Sequence, residues 1–427
     1  MKSVNRIKLK YVADYIQRGD APTYVDSNGV SVINQACVQP SGVDLLKMKL
    51  HDPEDLGRIT SWLQQDDVLI NSTGTGTLGR VAHVREEPTL PMFADGHVTI
   101  IRDSAQRFEP RYLFYVLSVQ QEQITVECAE GATNQIELSR HRLGNKYIDW
   151  PSIESQRQLV FYLDQHTGNL NKLIIEKQRL LDLLAEKRRA LIVRYITQGL
   201  KPKAPLRDSG VPFLGEVPAR WDVWRIGHFA TVGNGSTPFR DNLDYWIAGT
   251  IPWLNSAATN EAEITQAKQF VTPTAVAECH LPMVPAGSVL VAITGQGKTR
   301  GQAALLTFPA AINQHIAYIT PDTSVVNAIF LRLWFVAQYD FLRAMSDDMG
   351  GTKGALSCEQ ITNLRIAAPP IAEQRAIAAH IQTETKKIDN FSKTTERTIA
   401  LLQERRSALI SAAVTGQLTK EAIHAGA

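Results

Sequence analysis

PSIESQRQLVFYLDQHTGNLNKLIIEKQRLLDLLAEKRRALIVRYITQGL, residues 151–200, returns without a gap as PPIAEQRAIAAHIQTETKKIDNFSKTTERTIALLQERRSALISAAVTGQL, residues 369–418. Fifteen of the fifty positions are identical, among them Pro151/Pro369, Gln156/Gln374, Arg157/Arg375, Arg188/Arg406 and Leu191/Leu409. A repeat of this length is settled before any fold is assigned, because it makes the chain two copies of one plan. Residues 152–198 contain no proline and one glycine, Gly168; residues 371–415 contain neither. Since these two residue types are the strongest helix breakers, each copy reads as one long helix. Leu163, Leu170, Leu184 and Leu191 fall seven apart with Lys177 interrupting, and Leu159, Leu173 and Leu180 fill much of the alternate seam. In the second copy the same register holds Ile381, Ile388, Leu402 and Leu409, with Thr395 interrupting. A polar seam residue fixes register at some cost in stability, so matched interruptions point to two helices packed on each other as an antiparallel coiled coil. The alternative is two separate amphipathic helices, each lying on its own globular unit. A helix of forty-odd residues spans ~65 Å, which outreaches a unit of this size.

The repeat extends beyond the helices. Asp95-Gly96-His97-Val98 matches Asn313-Gln314-His315-Ile316, and Asn145 matches Asn363. Asp67-Val68-Leu69-Ile70-Asn71-Ser72-Thr73-Gly74-Thr75-Gly76 matches Ser288-Val289-Leu290-Val291-Ala292-Ile293-Thr294-Gly295-Gln296-Gly297. Leu9, Ala13, Gly19 and Pro22 pair with Ile226, Ala230, Gly235 and Pro238. The order is therefore a globular unit at 1–150, a helix at 151–200, a second unit at 201–368, a helix at 369–418 and a tail at 419–427. Within the second unit, residues 201–222 carry Pro202, Pro205, Pro212 and Pro218 and read as an extended joint. Short β-rich runs at 68–70, 98–101, 289–293 and 316–319 alternate with helical patterns at 110–122 and 326–345. The fold class is mixed α/β (α+β) units in two copies, a pseudo-two-fold tandem repeat.

A chain of 427 residues with 44% hydrophobic and 21% charged content is an ordinary globular protein of more than one core. Its net charge of +2 gives no global positive field, so a nucleic-acid role needs locally concentrated charge or a partner that supplies it. Cys37, Cys128, Cys279 and Cys358 form no CxxC pair and suit reduced thiols. No export leader or membrane span is visible, and the expectation is a cytoplasmic protein.

Thr294-Gly295-Gln296-Gly297-Lys298-Thr299 invites a phosphate-loop reading, but the required earlier glycine is Ala292, and the partner loop has no lysine. A tight glycine turn leaving a strand fits both copies better. Such a turn lets backbone approach a DNA phosphate or base edge, so Thr73, Gly74, Gly76, Thr294, Gly295 and Gly297 are candidate contacts. Arg80, Lys298 and Arg300 lie beside these turns, and Lys353 sits in the glycine-rich run 350–354. His97 and His315 are equivalent, but no nucleophile or acid pair accompanies them, which favours a structural role. HExxH, GxSxG and Cys/His cluster motifs are absent, as are adenine-methyltransferase and nuclease signatures. Lys187-Arg188-Arg189 and Arg405-Arg406 recur in the last third of each helix, either as a contact surface or as cations favoured near a helix C-terminus.

The helix-opening runs Pro369-Pro370-Ile371-Ala372-Glu373-Gln374-Arg375 and Pro151-Ser152-Ile153-Glu154-Ser155-Gln156-Arg157 carry a family likeness. So does Gly210-Val211-Pro212-Phe213-Leu214-Gly215-Glu216-Val217-Pro218, followed by Trp221. Over essentially its whole length the chain resembles the specificity subunit of a Type I restriction–modification system. It departs in having Ser155 where the second copy has Glu373, and in lacking a counterpart of 210–218 before the first unit. The resemblance implies target recognition domains that each read one half of a bipartite, asymmetric site in double-stranded DNA. It implies helices that set the gap and dock two methyltransferase subunits through Gln156, Arg157, Gln374, Arg375, Arg188 and Arg406. Restriction subunits, with translocase and nuclease activity, would join that core. S-adenosylmethionine, ATP and magnesium would belong to the partners, leaving this subunit non-catalytic. The competing class is a non-catalytic coiled-coil scaffold holding two protein-binding domains.

Overall fold

The computed structural model describes residues 5–74, 76–131, 136–201, 203–295, 297–347 and 354–418. They form two compact units, Met1–Arg179 with Thr395–Ala427, and Leu180–Thr394. No helix among the described residues is long and apolar enough to cross a membrane.

The first unit begins with β1 (Asn5–Lys8) and β2 (Tyr15–Arg18), followed by β3 (Tyr24–Val25), β4 (Val30–Ile33) and β5 (Lys49–His51). Then come β6 (Val68–Asn71), β7 (Val81–His83), β8 (Met92–Ala94) and β9 (Val98–Arg102). The unit continues through α1 (Pro110–Ser118), α2 (Gln121–Cys128), β10 (Tyr147–Trp150) and the first part of α3 (Ile153–Gln198). One antiparallel sheet has the order β2-β9-β6-β7, and a second, mixed sheet has the order β8-β4-β5-β3, with β8 parallel to β4. β6 is buried on every residue, consistent with its unbroken apolar run Val68-Leu69-Ile70.

The second unit repeats this plan with β11 (Asp222–Arg225), β12 (Ala230–Asn234), β13 (Ile251–Leu254), β14 (Glu263–Ile264) and β15 (Gln269–Val271). They lead to β16 (Val289–Ala292), β17 (Ala303–Leu306), β18 (Ala311–Ile312) and β19 (Ile316–Pro321). After these come α4 (Ala328–Ala337), α5 (Tyr339–Asp347), β20 (Arg365–Ala368) and α6 (Ile371–Val414). Its sheets run β12-β19-β16-β17-β14 and β15-β13-β18. Register is preserved between copies. Thr99 faces Arg18 and Ile70 in the first; Ala317 faces Asn234 and Val291 in the second. A one-residue slip would turn every side chain to the wrong face, so shared register follows from shared apolar pattern.

Each helical pattern expected at 110–122 and 326–345 is two helices, broken near Gln120 and Gln338. The break lets α2 and α5 turn onto the loops described below. The proline-rich run is not an extended joint. Leu206–Asp208 pairs with Glu216–Pro218 as a hairpin, and Val211, Leu214, Val217 and Trp221 sink into the second unit's core. Phe213 stacks on Phe341 with ring centroids 4.2 Å apart. Burying these apolar side chains outweighs the extended bias of the four prolines.

In the first unit Tyr162 and Leu163, near the start of α3, share a core with Ile410, Ala413 and Val414, near the end of α6. In the second unit the ends are reversed: Ile192 and Ile196 pack with Ile377 and Ile381, and the Tyr195 and His380 rings meet edge-on at 4.6 Å. The helices are therefore antiparallel. Buried and half-buried residues alternate four and three apart: Leu163, Thr167, Leu170, Ile174, Lys177, Leu181, Leu184, Arg188. Ile381, Thr385, Ile388, Ser392, Thr395, Ile399, Leu402 and Arg406 repeat the series. Thr167 and Thr385 turn their hydroxyls onto the carbonyls of Leu163 and Ile381, at 2.6 and 2.8 Å, so each is satisfied within its own helix. Leu173 departs from the expected second row, at 38% exposed; Ile174 takes that place.

Gln156 and Gln374 are both 1% exposed. The Gln374 carboxamide accepts from the Asn327 N–H at 2.8 Å and donates to the Pro369 and Val325 carbonyls at 2.8 and 3.0 Å. Gln156 likewise accepts from the Glu109 N–H at 2.9 Å and donates to the Pro151 carbonyl at 3.0 Å. Each ties the start of a long helix to the start of α1 or α4, satisfying groups that a helix start leaves open. The two glutamines expected at a docking surface are placed inside the chain, at these junctions. Gln374→Leu keeps the volume but orphans those partners, and should cost about 2–4 kcal/mol. Thermal denaturation of the full chain would show a clearly lower Tm; an unchanged Tm would remove the glutamine from this role.

Candidate nucleic-acid interface

The glycine turns connect β6 to β7 and β16 to β17, so each is the tip of an antiparallel hairpin. A phosphate loop runs from a strand into a helix, and these do not. Gly74 and Gly295 have φ of +99° and +123°, backbone that only glycine adopts without strain. At the base of each turn a threonine meets a histidine. Thr73 Oγ1 lies 2.9 Å from His97 Nδ1, and Thr294 Oγ1 lies 2.8 Å from His315 Nδ1. The histidine backbone N–H donates to Asp95 Oδ1 at 2.9 Å in one copy and to Asn313 Oδ1 at 3.1 Å in the other. Burial pushes the Asp95 carboxyl upward in pKa. Both imidazoles are exposed, and among the described residues no carboxylate pairs with either ring, so neither has the oriented-base arrangement of a nucleophilic site.

The turns are braced from behind. Gln121 Nε2 and Thr125 Oγ1 on α2 donate to the Leu78 carbonyl at 3.1 and 3.2 Å. Their equivalents on α5 do the same work with different chemistry. The Tyr339 hydroxyl donates to the Lys298 carbonyl, and Arg343 Nη1 to the Gly297 carbonyl, both at 2.7 Å. A third loop joins the same face in each copy. Gly19 and Gly235 follow β2 and β12, where an added Cβ would stand 2.0 Å from the Ala94 carbonyl oxygen and 1.8 Å from that of Ile312. Only glycine allows that approach. Beyond it, Tyr24 donates its hydroxyl to Asp95 at 3.3 Å with Lys49 Nζ 4.6 Å above its ring, and Thr237 bonds Gln314 beside His315. Each unit thus gathers its glycine hairpin, its histidine turn and the loop after the repeated glycine onto one polar face.

Thr73, Gly74, Gly76, Thr294, Gly295 and Gly297 all lie on these hairpins, and Gly76, Gly297 and Lys298 are exposed there. Arg80 is half-buried and directs Nη1 toward the Val38 carbonyl at 3.5 Å. Arg300 is 4% exposed; Gly301 and Gly79 make the same ladder bond, to the Ala292 and Asn71 carbonyls, so Arg300 stands where the first copy buries Leu78. Lys353 lies outside the described residues. Arg188 pairs with Asp389 at 2.9 Å in the helix seam. Arg406 donates to the Pro40 carbonyl, and burial lowers its pKa. Both seam arginines are thus engaged within the chain, the Arg188–Asp389 pair at a partly exposed position. Arg157 and Arg375 remain exposed. Tyr24 and Arg240 were not singled out from sequence, although the repeated Gly19/Pro22 and Gly235/Pro238 pairs mark the loop that carries them. Among the described residues there is no group of three or more His, Cys, Asp or Glu side chains able to hold a metal.

Residues 218–400 match the family described as Type I restriction modification DNA specificity domain. The chain is 21% identical over 424 residues to the MjaX type I restriction enzyme specificity subunit of Methanocaldococcus jannaschii, covering 96% of this chain and 92% of that one. It is 29% identical over 187 residues to the MjaIX specificity subunit of the same organism, covering 43% and 42%. Against the Escherichia coli EcoR124I/EcoR124II specificity subunit it is 22% identical over 201 residues, covering 47% and 48%. A solved chain from work on complex assembly and conformational transition of the type I R-M system superposes with a TM-score of 0.69. That match has 15% identity and covers 97% of this chain and 98% of the other.

Proposed function

We propose, for a chain that belongs to the type I restriction–modification specificity subunits, that each globular unit reads one half of a bipartite, asymmetric DNA site. The observation that carries this reading is the pair of equivalent loop faces. Register, bracing and Thr–His contacts are shared, while the residues at the loop tips differ. Two readers of one build with different tips recognise two different sequences, with phosphate contacts positioning and base contacts specifying. The antiparallel helices set the distance between half-sites, and two methyltransferase subunits dock along them. Arg157 and Arg375, presented outward just after the buried glutamines, are the docking contacts retained from the sequence. The chain performs no chemistry itself. S-adenosylmethionine, ATP and magnesium act in the methyltransferase and restriction subunits, in the cytoplasm.

Deleting the gene tests the reading. Long-read methylation mapping of the host should lose one bipartite motif completely, and expression of the chain in trans should restore it. Unchanged methylation would sink the DNA-reading role and favour a protein scaffold.

A further inference from the structure

We propose that Arg240 reads a base: its guanidinium pairs with O6 and N7 of one guanine in the half-site recognised by the second unit. This rests on the DNA-reading function above. Arg240 lies two residues beyond the repeated Pro238, on the loop that Thr237 ties to Gln314. It is exposed, yet its guanidinium is held in place. Cζ sits 4.3 Å from the Trp246 ring centroid and 5.0 Å from that of Trp253. The two indoles meet edge-on at 5.3 Å. Each is anchored to the same loop, Trp253 Nε1 donating to the Ser236 carbonyl at 3.2 Å and Trp246 Nε1 to the Phe239 carbonyl at 3.1 Å.

The guanidinium is also largely uncommitted. Among the described residues its one hydrogen bond, from Nη2 to Gln269 Oε1, is 3.5 Å long and goes to a neutral acceptor. Asp241 and Asp244 are neighbours in sequence, but among the described residues no carboxylate forms an ion pair with it. Arg189 and Arg220 of the same unit are instead paired, with Asp340 and Glu373. A planar donor fork, stacked to fix its plane and free of a counter-ion, suits the two acceptors that only guanine places side by side in the major groove. Restricting the side chain beforehand also lowers the entropy lost on binding. The equivalent position in the first unit is Tyr24, so a shared loop carries different chemistry in the two readers.

The test is the methylated motif made by the complete complex carrying Arg240→Ala or Arg240→Lys. Both variants should relax one G·C position of one half-site and leave the other half-site unchanged, because lysine keeps the charge but loses the fork. Methylation that falls evenly with the motif intact, or is kept by lysine, would make Arg240 a phosphate contact and overturn the assignment. A second-unit half-site without any G·C pair would overturn it as well. If a variant yields no methylation, 7-deazaguanine is scanned through the half-site with wild-type complex. One position should weaken binding about tenfold to a hundredfold, and uniform binding at every guanine would refute the proposal. Wild-type methylation that is indifferent to deletion of this gene would instead reject the DNA-reading function, and this inference with it.

Discussion

Arg102→Met destabilises the first unit by about 3–5 kcal/mol, whereas Asp67→Ser combined with Arg102→Thr is expected to lose much less. Asp67 is fully buried and takes two bonds from the Arg102 fork, Nε to Oδ1 at 2.6 Å and Nη2 to Oδ2 at 2.7 Å. It also accepts the Gln64 N–H at 2.8 Å, while Arg102 donates to the Trp62 carbonyl at 2.9 Å. Methionine fills the space but strands a carboxylate in the core, and an uncompensated buried charge is the expensive outcome. The second unit shows what the same lattice accepts when both charges go. Ser288 and Thr320 stand at the equivalent positions, with their hydroxyls 2.8 Å apart. Burial raises the Asp67 pKa against the opposing pull of Arg102, while the bond to Asp67 raises that of Arg102. Denaturant unfolding of the full chain, with hydrogen exchange at 68–71 and 98–102 reporting on the sheet, measures the cycle. A double variant as unstable as the single one would show that the pair is not what separates the copies.

That exchange of a charged pair for two hydroxyls also explains how much of the fold was legible. A repeat displays what two copies must keep: helix length, strand register, glycines at crowded backbone and the Thr–His contact. It hides the direction in which a conserved-looking charge points. Arg300, Arg188 and Arg406 read as surface cations because arginine is usually exposed, yet Arg300 is buried, and the long stems of Arg188 and Arg406 lie along the seam while their heads find a carboxylate and a carbonyl. Leu173 misled for a different reason. Counting sevens fixes one row of a seam, while the second row can lie three or four residues on, and an apolar residue at the wrong offset looks like a match. Gln156 and Gln374 were read as contacts because they repeat; they repeat because a long helix starts against another helix start. The Arg240 platform was illegible since its parts, Trp246, Trp253 and Gln269, come from separate loops and strands.

Seven residues added to each long helix, between Arg179 and Leu180 and between Thr394 and Thr395, should lengthen the gap of the recognised site and leave both half-sites unaltered. Those points are where the chain passes from one unit to the other, so neither core is cut. The seam alternates four and three, and a seven-residue addition restores every seam residue to its face. Four residues in one helix would instead throw its seam against the partner, a stutter that unwinds the pair locally. Seven residues add ~10 Å, close to three base pairs at ~3.4 Å each. Three base pairs also rotate the duplex by about 100°, while the heptad returns the helices to the same face. The lengthened complex should therefore select the longer gap yet bind it more weakly, because the duplex or the protein must twist to present both half-sites. Selection from a duplex pool in which only the gap varies measures this directly. A gap preference that stays put would dissociate the helices from spacing, and altered half-sites would show that the loop faces are not the sole readers.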